Sequence, residues 1–142
     1  MLTMAACAPA EKPVAEDDPN QKLLQAKPEK SDEYRALMAK NLANYEYMTL
    51  GFMNFDMGKV KMAADNMRAI SGYLSQNIPP AYQSRSEDWK AYCEELGKNA
   101  AEVAQKSQDK DYDGLRSSFQ NIMKTCMECH ILYRKHLLTS KF

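Results

Sequence analysis

Two thiols and an imidazole stand close together near the C-terminus, in Thr125-Cys126-Met127-Glu128-Cys129-His130. On a helix, Cys126 and Cys129 share a face and His130 lies one turn after Cys126. Cys-x-x-Cys-His is the covalent attachment signature of c-type haem. In that chemistry the two thiols form thioethers with the haem vinyl groups, and the adjacent imidazole binds iron from the proximal side. Parts of the pattern serve other chemistries. A thioredoxin-like dithiol belongs at a helix N-terminus in a βαβ unit, whereas this motif sits far along a helical pattern with no strand nearby. A structural zinc site needs four ligands, and Cys7, Cys93 and His136 supply no second paired knuckle. A plain disulfide leaves the following histidine unexplained.

A haem held from one side needs a second axial ligand or leaves an empty position. Three methionines in the first helical segment are candidates: Met38, Met48 and Met53. Their heights follow from the elements that carry them. The segment from about Ser31 to Met53 has Tyr34, Leu37, Met38, Leu42, Tyr45, Met48 and Phe52 at three- and four-residue steps, one apolar stripe. Asn54-Phe55-Asp56 breaks it, and Asp56 is suited to cap the next helix. A second helix is expected from about Met57 to Gln76, with Val60, Ala63, Met67, Ile70 and Leu74 inward, stopped by Ile78-Pro79-Pro80. Residues Ala81 to Ser86 read as loop, with Ser84-Arg85-Ser86-Glu87 as a capping box. A third helix follows from about Glu87 to Lys106, with Trp89, Cys93, Leu96, Ala100 and Val103 inward. After a polar link in which Asp111 is a good N-cap, a fourth runs from about Tyr112 to Leu138. Leu115, Phe119, Ile122, Cys126, Cys129 and Tyr133 share its inner side.

Four amphipathic helices with short links predict an all-α fold, an antiparallel up-down-up-down four-helix bundle over residues 31–142. The first and fourth helices then run antiparallel. At about 1.5 Å per residue, His130 lies roughly 12–15 Å before the end of the fourth helix, and Met38 roughly 10 Å after the start of the first. Met48 is about 15 Å further along. Geometry selects Met38 as the distal ligand, with Met48 next in line. Among the other polar and sulfur groups, Cys93 reads as a small core residue. His136 is turned about 120° round the helix from His130 and reads as a surface residue. Arg134 follows His130 by one turn and is placed to reach a haem propionate or to support the proximal pocket; it is also a cation near a helix C-terminus, where cations are favoured.

The remaining sequence sets the context. Of 142 residues, 44% are hydrophobic and 27% charged, and the mean hydropathy is -0.62. Lys+Arg and Asp+Glu balance at 19 each, which argues against nucleic acid as a partner. No apolar run in the sequence is long enough to span a membrane as a helix. Residues 1–30 differ from the rest: Pro9, Pro13, Pro19 and Pro28 interrupt them around the acidic run Glu16-Asp17-Asp18, the composition of a flexible tether. Met4-Ala5-Ala6-Cys7 resembles the lipobox of a bacterial lipoprotein, in which the cysteine is acylated, although six residues cannot supply the charged and apolar regions of a signal peptide.

Cys126 to Arg134, read as Cys-x-x-Cys-His-x-x-Tyr-Arg, resembles the ending of the cytochrome c′ class, the class II c-type cytochromes. Leu37-Met38-Ala39-Lys40-Asn41-Leu42-Ala43-Asn44 is similar to the first-helix segment of the class's low-spin members, in which a methionine fills the sixth position. The resemblance covers Ser31 to the C-terminus. It implies one covalently attached haem c and a periplasmic, non-enzymatic carrier of single electrons between redox partner proteins. The alternative is a gas-binding protein with a vacant distal site, as in the high-spin members. A third reading is a lipid-tethered scaffold whose haem is mainly structural. Class members often pair through their first two helices, so a homodimer is a further expectation. Lys124, Arg134, Lys135 and Lys141 lie at or near the haem end of the fourth helix, where partners would dock with electrostatic help.

Overall fold

A computed structural model describes the backbone of residues 31–139 and the side chains of residues 33–133. The expected tether, Cys7, Arg134 and His136 therefore lie outside the described residues or side chains. Four α-helices follow in order: α1 (Ser31–Met53), α2 (Met57–Gln76), α3 (Ser86–Asp109) and α4 (Tyr112–Thr139). A 3-10 helix, Pro80–Arg85, leads into α3. There is no strand among the described residues. The fold is an all-α four-helix bundle, in which α1 lies along α2, α2 along α3 and α3 along α4.

Two of the links are built alike. At the end of α1, the Phe55 N–H donates to the Phe52 carbonyl (3.1 Å) and the Asp56 N–H to the Gly51 carbonyl (2.8 Å). At the end of α3, the Lys110 N–H donates to Ser107 (3.4 Å) and the Asp111 N–H to Lys106 (3.0 Å). Both are Schellman closures, with Phe55 (φ 56°) and Lys110 (φ 54°) left-handed where glycine is usual. The aspartate after each then caps the next helix. Asp56 accepts from the Lys59 N–H at 2.9 Å and Asp111 from the Gly114 N–H at 2.9 Å. The Gly114 N–H and the Lys106 ammonium hold the Asp111 carboxyl below its usual range. Gly51 suits a close approach: a Cβ there would stand 3.0 Å from the Val60 side chain and 3.1 Å from the Val60 nitrogen, tighter than ordinary van der Waals contact.

The third link departs from expectation. Ala81 to Ser86 is helical rather than loop, because Pro79 and Pro80 fix φ and start the 3-10 turn. This turn runs straight into α3, so the capping box at Ser84 does not form; Arg85 occupies the cap position without a side-chain hydrogen bond.

The core has two parts. One gathers Met48, Val60, Ala63, Met67, Val103, Leu115 and Ile122, with Phe52 and Phe119 against it. The Phe52 and Phe119 rings meet edge-on at 5.6 Å, which brings the end of α1 beside the start of α4. The other gathers Tyr34, Leu37, Ile70, Leu74, Trp89, Cys93 and Tyr133 at the opposite end. There the Trp89 indole donates to the Leu74 carbonyl at 2.8 Å, satisfying an acceptor near the end of α2. Every inward residue expected on α2 and α3 is buried. On α1, Leu42 is not: it is 60% exposed, and the neighbouring Asn41 is buried instead.

Candidate haem site

The elements place Cys126, Cys129 and His130 on one stretch of α4, as the 3.6-residue period requires. These three side chains line a cavity of about 600 Å³ whose walls come from all four helices. Met38, Asn41, Leu42 and Tyr45 of α1 line it as well, with Met67 and Leu74 of α2 and Tyr92, Cys93 and Leu96 of α3. Its volume lies within the range of about 300–1,000 Å³ usual for small-molecule and cofactor sites. Among the described residues, no Lys, Arg, Asp or Glu lines it.

The site is fixed from behind. Thr125, beside the first thiol, donates its hydroxyl to the Asn121 carbonyl at 2.9 Å and accepts from the Asn99 amide at 3.1 Å. This ties α4 to α3 at the motif. The Tyr133 hydroxyl donates to the Arg85 carbonyl at 3.2 Å, and its ring lies 4.4 Å from that of Tyr82. Burial pushes the Cys126 thiol up, and burial with the neighbouring Cys126 pushes Cys129 up to about 12. Both are therefore neutral thiols near pH 7. Cys93, also at about 12 chiefly through burial, is the core residue expected, but it faces the cavity too.

Of the three methionines weighed on α1, only Met38 lines the cavity. Met48 is fully buried in the other core cluster, and Met53 is 69% exposed. Met48 thus packs away from the cavity that Met38 lines. Sequence reasoning passed over Met67, Met123 and Met127, which also line the cavity; Met67 had been read as core, which it is. It passed over Asn41 as well. This residue is 5% exposed, and neither amide atom has a hydrogen-bond partner among the described residues.

The residues present fit a haem. The lining is apolar enough to take a macrocycle, and two thiols with an adjacent imidazole stand on one helix. A thioether stands on another, and an orphaned amide faces the same space. No curated protein and no solved structure gives a significant match to the chain. A scan against protein-family models matches residues 29–134 to the family described as Cytochrome C'. That span takes in α1 to α3 whole, most of α4, Met38 and the entire Cys126–His130 motif: the chain belongs to the cytochrome c′ family of haem-binding cytochromes.

Proposed function

We propose that the protein is a monohaem c-type cytochrome that carries single electrons between redox partner proteins and catalyses no reaction of its own. Cys126 and Cys129 would hold the haem through thioethers, and His130 and Met38 would ligate its iron. The haem iron supplies the redox change, ferric to ferrous and back. The chain would supply two iron ligands that stay in place, an apolar lining and a wall fixed at Thr125, so that little would rearrange when an electron moves. The observation that carries this reading is the meeting of Met38 with Cys126, Cys129 and His130 in one cavity. A neutral sulfur opposite an imidazole favours the ferrous state relative to two imidazoles. Partners approach the open edge of the site, where Arg116 and Lys124 line an adjoining groove. Haem attachment of this kind takes place outside the cytoplasm, so the proposal places the protein in the periplasm, tethered through an acylated Cys7.

One preparation tests these points. Protein matured with its native host's machinery should keep its colour through acid-acetone extraction. It should show a low-spin spectrum with a ferric sulfur-to-iron charge-transfer band and carry a lipid mass on Cys7. Met38→Leu should lose the band, become high-spin and bind carbon monoxide faster. Its fold should persist, because Leu and Met have similar volumes and such swaps cost under about 1.5 kcal/mol. A wild type that is already high-spin would instead support the gas-binding reading.

A further inference from the structure

Asn41 lies one turn after Met38 on α1 and lines the same cavity. A buried amide with both polar atoms unpartnered is rare and costly, so whatever fills the cavity should bond it. A haem offers few polar atoms: its carboxylates, the iron and the axial ligand atoms. The carboxylates are anions, and among the described residues no lysine or arginine lines the cavity. An unpaired charge is strongly disfavoured in such an interior. The carboxylates therefore belong at the open edge, beside the groove that Arg116 and Lys124 line together with Glu128, which pairs with Lys124 at 3.8 Å. Asn41, with both amide atoms sealed from solvent, is not at that edge. The axial sulfur remains. Met38 is the i−3 neighbour of Asn41 on the same helix face, and a thioether sulfur accepts hydrogen bonds.

We propose that Asn41 is the positioning residue of the sixth ligand: in the loaded protein its Nδ2–H donates to the Met38 sulfur. The inference rests on the reading of Met38 as the ligand. The bond fixes which way the sulfur points, a role that outer partners commonly have towards metal ligands. It also draws electron density from the sulfur, making it a poorer donor to ferric iron, which raises the midpoint potential.

The test uses holoprotein in five forms: wild type, Asn41→Leu, Asn41→Ala, Met38→Leu, and Asn41→Leu combined with Met38→Leu. The two Asn41 substitutions differ in size, so the test survives if one fails to load haem. Both should displace the charge-transfer band and lower the midpoint potential, with haem content and helicity unchanged. In the Met38→Leu background the Asn41 substitution should no longer move the potential. If the band and potential of the Asn41 variants stay at wild-type values, the amide bonds something else, such as a trapped water, and the proposal is overturned. It is equally overturned if the Asn41 effect persists without Met38. Should Met38→Leu alone leave the band unchanged, the ligand assignment has failed first, and the proposal falls with it. That outcome is read from the single variant, before Asn41 is altered.

Discussion

Thr125 does more for the site than its neighbours suggest. Its hydroxyl is the acceptor for the Asn99 amide and sits one residue from Cys126. Thr125→Val keeps the shape and removes the hydroxyl, leaving the Asn99 amide, in a residue 3% exposed, without that partner. Stranding such a group costs about 1–3 kcal/mol. A fall of that size in unfolding free energy, measured by denaturant titration, is the expected outcome, and part of it should return in the pair Thr125→Val with Asn99→Leu. A neutral Thr125→Val would mean that the bond contributes nothing. At this scale the sequence is legible where chemistry fixes spacing, as at Cys126, Cys129 and His130. It is opaque at Asn41. An apolar stripe reads Leu42 as inward and gives no sign of Asn41; Leu42 is 60% exposed, whereas the amide one position earlier is buried, and both side chains line the cavity.

Helix boundaries were legible where a single residue decides them. Asp56 and Asp111 cap α2 and α4 as their types suggest. The 3-10 turn was not legible, since its existence depends on two consecutive prolines aligning it with α3, and a capping box presumes a free helix start. Nor did composition reveal that the Schellman closures would use Phe55 and Lys110 in place of glycine. A left-handed non-glycine residue costs about 1–2 kcal/mol, while glycine adds about 0.4–1 kcal/mol of unfolded-chain entropy. The first effect wins. Lys110→Gly should stabilise the protein by roughly 0.5–1 kcal/mol, seen as a higher melting temperature. Phe55→Gly is a poorer choice, because the Phe55 ring also packs on Tyr112 at 5.9 Å.

At the scale of the molecule, the bundle was readable from periodicity alone, because each of four helices has one face that water disfavours. Met38 was picked out by height along two antiparallel rods, a coarse argument that nevertheless brought it to the cavity. What periodicity could not show is how unevenly the rods meet. Helix α1 lies along α2, and it meets α4 through ring contacts of Tyr45 and Phe52 with Phe119 and Tyr112. The cavity occupies the space where the two helices part.

That uneven seam makes α1 a latch. Under the proposed ligation, three of the four attachments to the haem come from α4, two of them covalent, and α1 contributes one reversible sulfur. Loosening α1 frees that sulfur without releasing the haem, so the bundle should unfasten in two stages. With rising denaturant, the charge-transfer band should disappear at a lower concentration than the far-ultraviolet helix signal, and carbon monoxide should bind rapidly in the interval between. A single shared transition would mean that α1 cannot let go alone. If the interval exists, the same chain holds a closed electron carrier and an open gas receptor, separated by the grip of one helix.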